Sequence, residues 1–211
     1  MQLTLLRTIA SFAMAAAVTT AAQAAVITTL YSTGVDATGT LLANGSVDSH
    51  YSVVPGSGPF VIGNPSSVGW IGNTAGSQWI STAANTQGGP GPFTYTTTFD
   101  LTGLDYTTAL IDAEISSDNM ATVSLNGNVV GTQPFGGWNN LFALTISSGF
   151  QAGINTLSFV VPNNQATTND GPTGLQVHII SASAAVPEPS SLALTGLALV
   201  LALRSARRRP S

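Results

Sequence analysis

The chain has 211 residues with a formal net charge of −4; 44% of them are apolar, only 7% are charged, and there is no cysteine. The charged share is far below the usual figure of about 25%, and disulfides and thiol chemistry are excluded. Without its two terminal segments the chain is about 160 residues long, a length that suits one domain.

Residues 1–24 read as a secretory signal peptide. Arg7 gives a weakly positive start, Ile9 to Val18 are apolar apart from Ser11, and Ala22-Gln23-Ala24 fits a small-x-small cleavage site. The mature chain is expected to begin at Ala25. The other reading of this segment is an uncleaved anchor.

Residues 25–186 contain no Lys or Arg, but they contain Asp36, Asp48, Asp100, Asp105, Asp112, Glu114, Asp118 and Asp170. A body of this kind cannot neutralise phosphates, which excludes a nucleic-acid partner. Its carboxylates must be solvated, hydrogen-bonded or bound to a metal ion.

The periodicity of this region is that of β-strands. Phe93–Leu101 places Phe93, Tyr95, Phe99 and Leu101 on one face and Thr94, Thr96, Thr98 and Asp100 on the other. Ala109–Ile115 alternates likewise, setting Asp112 and Glu114 together on the side away from Ile111. Ala121, Val123 and Leu125 precede Asn126-Gly127, a strong hairpin signal. Phe142–Ile146, Leu157–Val161 and Leu175–Ile179 continue the series, with Gln176 and His178 on the second face of the last. Val26–Tyr31, Tyr51–Val54, Phe60–Ile62 and Trp79–Thr82 are the candidates in the less regular first half. The expected fold class is all-β, a β-sandwich with a jelly-roll topology, spanning residues 25–185 as one domain.

About 90 residues of the second half resemble the galactose-binding-like jelly rolls of bacterial exported proteins. The resemblance rests on Phe93–Leu101 with Gly103, Asp118-Asn119, and Val123-x-Leu125-Asn126-Gly127. It continues through Phe150-x-x-Gly153-x-Asn155-Thr156-Leu157-x-Phe159-x-Val161 and Pro172-Thr173-Gly174-Leu175. It implies a fold whose members include carbohydrate-binding modules and purely structural domains, so it does not choose between those roles.

Three kinds of chemistry are open to the domain. Carbohydrate binding needs aromatic faces beside Asn, Asp or Gln. Trp138 and Asn139, in Phe135-Gly136-Gly137-Trp138-Asn139-Asn140, with Trp70 and Tyr51, are the candidates; Trp79 is expected in the core. Hard-oxygen ligands for calcium could come from Asp112, Glu114, Asp118 and Asn119, although their spacing matches no EF-hand loop. Asp112 and Glu114, about 7 Å apart on one strand face, are spaced as the acids of an inverting glycosidase; a solvated strand face is the plainer reading. No Gly-x-Ser-x-Gly elbow is present, and His50 and His178 are the available neutral-pH bases. The expectation is that the protein is not an enzyme.

The last 26 residues have three parts: Val186-Pro187-Glu188-Pro189-Ser190-Ser191, an apolar segment through Leu203, and Arg204, Arg207, Arg208 and Arg209. A helix over 190–203 would span roughly 21 Å, short of the ~30 Å bilayer core, but arginine stems extend its reach. The positive-inside rule sets the arginines in the cytoplasm and the domain outside. Val186, Pro187, Glu188 and Pro189, the short apolar helix and the basic end over 204–209 resemble the PEP-CTERM sorting signal of exopolysaccharide-producing Gram-negative bacteria. The resemblance implies an exosortase-type enzyme as a partner and membrane contact that is at least transient. Delivery is then to the envelope surface or extracellular matrix; the resemblance says nothing about the domain delivered, for which exopolysaccharide is the candidate partner of the carbohydrate-binding reading.

Overall fold

The computed structural model describes residues 23–163, 171–187 and Gly196. The expected signal peptide up to residue 22, Glu188 and Pro189 of the sorting motif, the apolar segment 190–203 except Gly196, and the four tail arginines lie outside the described residues, as does Asp170. Among the described residues no helix is long and apolar enough to cross a membrane.

Among the described residues eleven strands are formed: β1 (Ala24–Val26), β2 (Ser52–Val54), β3 (Phe60–Ile62), β4 (Trp79–Ser81), β5 (Phe93–Asp100), β6 (Asp105–Asp118), β7 (Ala121–Leu125), β8 (Asn128–Gln133), β9 (Phe142–Ile146), β10 (Ile154–Val161) and β11 (Gly174–Ala185). They make two antiparallel sheets, β3-β4-β11-β6-β9 and β2-β5-β10-β7-β8, with β1 joined to the far end of β11. From β5 onward the chain crosses repeatedly between the sheets, giving the jelly-roll sandwich expected from the alternation.

The alternation works because each sheet has one face turned to the other. Tyr95, Phe99, Phe159, Ile111, Ile115, Leu125 and Val177 are buried between the sheets. The β7–β8 turn has Asn126 at φ 51° and Gly127 at φ 82°, the left-handed pair that a tight two-residue hairpin requires.

The expected strand Val26–Tyr31 is not formed as such. Pairing stops at Val26, Thr28–Thr29 turn, and Ile27 and Leu30 are both buried. A spacing of three between buried residues cannot be kept on an extended strand, so the chain leaves the sheet edge there.

The outer face of the first sheet is covered at one end only. Trp79 and Trp70 stack there at 4.3 Å between ring centroids, form a second apolar cluster with Ile62, and are flanked by Val68, Ile71 and Trp138. The covering segment buries Gln176, whose Nε2 donates to Ser77, and sets Gly76 against the His178 ring. At this end the second face of β11 is thus covered rather than solvated, while Ile180 and Ser181 farther along it are exposed. Toward the Asp105 end of β6 the outer face stays open.

Candidate functional site

The open part of that face holds a groove of about 260 Å³ whose lining includes Leu30, Tyr31, Ser32, Gly76, Ile180 and Ser181. Its origin is local. The segment after β1 is held to β11 at both ends: Ile27 N donates to the Ala182 oxygen (2.9 Å), Thr33 N to the Val177 oxygen (3.0 Å) and Ile179 N to Ser32 Oγ (3.0 Å). Between those anchors it bows outward. Opposite the bow, β11 carries a bulge: Ile179 pairs with Ala113 but Ser181 with Asp112, so Ile180 is left over and is 59% exposed.

Tyr31 gives the groove an aromatic wall. Its ring stacks on that of His50, with centroids 3.8 Å apart and planes 15° from parallel. His50 Nδ1 is 3.0 Å from the Val35 oxygen and 3.7 Å from Asp48 Oδ1. Asp48 is fully buried and accepts from Gly34 N (2.7 Å) and His50 N (2.9 Å). Burial pushes its carboxyl above the usual range, against the pull of those hydrogen bonds. Asp48 and His50 therefore act as a frame behind Tyr31.

Tyr51, a candidate stacking residue from the sequence, is buried and offers no face to a sugar. Its hydroxyl donates to the Tyr31 main-chain oxygen at 2.9 Å, so it supports the groove from below. Trp70 is likewise corrected: it is 3% exposed, and its Nε1–H donates to Asp118 Oδ2 at 2.8 Å. Tyr51 lost its solvent face by continuing the inward alternation of β2 into the main core, and Trp70 by packing with Ile62 and Trp79 in the second cluster.

Trp138 and Asn139 sit on the turn after β8, at the Asp118 end of β6. The Trp138 ring is half-buried against the second cluster. Its main-chain oxygen accepts from Ile71 N at 2.7 Å, and Phe135, 68% exposed, stands edge-on to it at 5.5 Å. Asn139 fits with its amide nitrogen donating to the Gly69 oxygen (3.0 Å) and its amide oxygen accepting from Trp138 Nε1 (3.3 Å). These contacts occupy the Trp138 indole N–H and one donor and one acceptor position of the exposed Asn139 amide. The turn presents Phe135 instead.

The four candidate calcium ligands are not brought together. Asp112 and Asp118 are six residues apart along β6, roughly 20 Å at the strand rise. Asp112 accepts from Thr145 Oγ1 (2.8 Å), with Ser181 Oγ 3.4 Å from its other oxygen. Asp118 is taken by Trp70, and Asn119 Nδ2 lies 3.4 Å from Asn163 Oδ1. Among the described residues no group of three or more His, Asp or Glu side chains could hold a metal ion.

Asp112 and Glu114 do share the outer face, as their spacing requires, and Glu114 is the register partner of His178 across β6 and β11. The lining of the groove includes neither carboxylate. The groove and the acidic face meet at Ser181, which lines the one and touches Asp112 of the other. Tyr31, Ser32 and Ser181 were not singled out by the sequence. Tyr31 sits in a segment whose irregular path is set by contacts with β11, about 150 residues away.

No protein-family model matches the chain, and no curated protein matches it. Among solved structures it is similar to a family 35 carbohydrate binding module from an environmental isolate: 17% identity over 67% of this chain and 97% of that one, TM-score 0.36. It is also similar to a family 29 carbohydrate binding module (10% identity, 79% and 90% covered, TM-score 0.38). A third is a CBM4 structure (13% identity, 68% and 98% covered, TM-score 0.33). Likeness of this degree carries no weight for function, which has to be read from the residues of this chain.

Proposed function

We propose that the protein is an exported, non-catalytic component of the cell surface or extracellular matrix, and that its sandwich binds polysaccharide in the groove beside β11. The observation behind this reading is the groove itself: a half-buried aromatic wall, Tyr31, held rigid by His50 and Tyr51, beside the hydroxyls of Ser32 and Ser181. A sugar ring offers an apolar C–H face and a rim of hydroxyls, and a fixed aromatic with neighbouring polar groups matches both. The export and sorting part rests on the terminal segments of the sequence, with an exosortase-type enzyme as the partner that acts on the Val186–Pro189 motif.

Binding is tested by isothermal titration of the domain with a panel of oligosaccharides, comparing wild type with Tyr31→Ala. Saturable binding that weakens about tenfold in the variant is expected for loss of one aromatic anchor. Absence of binding across the panel would leave a structural component without a glycan ligand, a role that the burial of Trp70, Trp79 and Tyr51 also suits. Sorting is tested by mass spectrometry of protein from the native envelope and medium. A start at Ala25 and an end near Pro189 are expected; material running through Ser211 alone would restore the anchor reading.

A further inference from the structure

No carboxylate lines the groove, but two of its lining residues, Gly39 and Ser181, lead to carboxylates just beyond it, and their placement narrows the glycan it can take. On one side Gly39, part of its lining, belongs to the loop closed by Asp36. That carboxylate accepts from Thr38 N (2.8 Å), Thr38 Oγ1 (2.7 Å) and Thr40 N (3.0 Å). The Thr38 side-chain hydrogen bond, then the two backbone ones, hold it below the usual carboxylate range. On the other side Ser181 leads to Asp112, and Glu114 follows on the same strand face.

Among the described residues no Lys or Arg offsets them. Residues 25–186 contain no Lys or Arg, His50 spends Nδ1 on the Val35 oxygen behind Tyr31, and His178 lies against Gly76. An ionised carboxylate only accepts hydrogen bonds. A sugar hydroxyl can donate to it and gains a charge-assisted bond. A uronate or sulfate group would bring further acceptors and a like charge to the same place, with no counterpart to pair it.

Resting on the reading that the groove binds glycan, we infer that its ligand class is neutral polysaccharide, recognised through hydroxyl donors, and that anionic polymers are rejected. The composition extends this property to the whole of residues 25–186, so within that domain rejection operates at encounter as well as in the groove.

The test is affinity electrophoresis of the intact chain in detergent, through gels containing a neutral glucan, a neutral mannan or polygalacturonate, with chelator and with calcium. Arg204, Arg207, Arg208 and Arg209 are changed to Gln in every sample so that the tail cannot bind the polyanion. Retardation by a neutral polymer, and none by polygalacturonate in either condition, is the expected result. Asp112→Lys should create retardation by polygalacturonate, raising its apparent affinity at least about tenfold. Asp36→Lys, in a separate loop, should shift it the same way, with melting curves checking that both variants fold. Retardation by polygalacturonate alone, or restored by calcium, overturns the inference and leaves the glycan reading standing. Retardation by no polymer overturns the glycan reading itself, and the inference with it.

Discussion

The carboxylate of Asp118 lies beneath Trp70, whose Nε1–H is its side-chain hydrogen-bond donor, and burial raises its pKa despite that bond. In a chain with no Lys or Arg near by, this is how a buried acid is tolerated: the proton stays on longer than it would in water. Linkage then fixes a sign. Because the folded pKa lies above the unfolded value of about 3.9, the native state binds the proton more readily. The stabilisation is full below that value and is lost as pH rises through the folded pKa. Asp118→Asn keeps an acceptor for Trp70 and removes the titration. Its melting temperature should match wild type near pH 3.5 and exceed it by neutral pH. A difference independent of pH would show that Asp118 is not the group responsible. Asp48 is raised for the same reason, whereas Asp36 and Asp100 are lowered, chiefly by hydrogen bonds from Thr38 and Thr102. Comparing variant with wild type cancels these other contributions.

At the scale of elements, the turn after β8 shows how tightly the covering layer is fitted. Gly137 lies against the Gln133 side-chain amide, so a Cβ there would overlap it. Gln133 is buried: its Oε1 accepts from Ser117 Oγ at 2.6 Å, and its Nε2 donates to the oxygens of Ser117 and Pro134. Gly137 in turn supplies the oxygen that accepts from Ser116 Oγ at 2.8 Å. Gly137→Ala must displace that amide, and the expected cost is about 1–3 kcal/mol, read as a lower urea midpoint at an unchanged slope. It should also expose Trp138 and red-shift the tryptophan emission; an unchanged spectrum and midpoint would mean that the turn has slack. The strands themselves follow period two because each has one face in the core. Val26–Tyr31 departs from it because Ile27 and Leu30, three apart, are both buried, and the segment is anchored to β11 at Ile27 and again at Ser32 and Thr33.

For the whole molecule, eight carboxylates with no Lys or Arg between residues 25 and 186 make self-repulsion a term in stability. Raising monovalent salt from about 10 to about 150 mM shortens the Debye length from about 30 to about 8 Å. The melting temperature of the mature domain should rise, equally with sodium and potassium, and a fall would contradict the charge picture. The fold also sets directions: Ala25 is the register partner of Ala184, and Ala185 that of Asp105. The described chain ends therefore emerge side by side at the Asp105 end of β6. Phe135 and Trp138 lie at the Asp118 end, roughly 40 Å away along the strand. The sequence alone determined the all-β class, most of the strands, the Asn126-Gly127 hairpin and the anionic, cation-free body, because periodicity, turn chemistry and charge are local properties of the chain. It could not determine which tryptophans would be covered, that Asp112 and Asp118 would end far apart, or that Tyr31 would wall a groove. The separation of Asp112 and Asp118 follows from β6 running unbroken through both, whereas the covered tryptophans and the groove depend on contacts between residues as distant as Trp70 and Asp118, or Ser32 and Ile179, and burial is decided only when the second surface arrives.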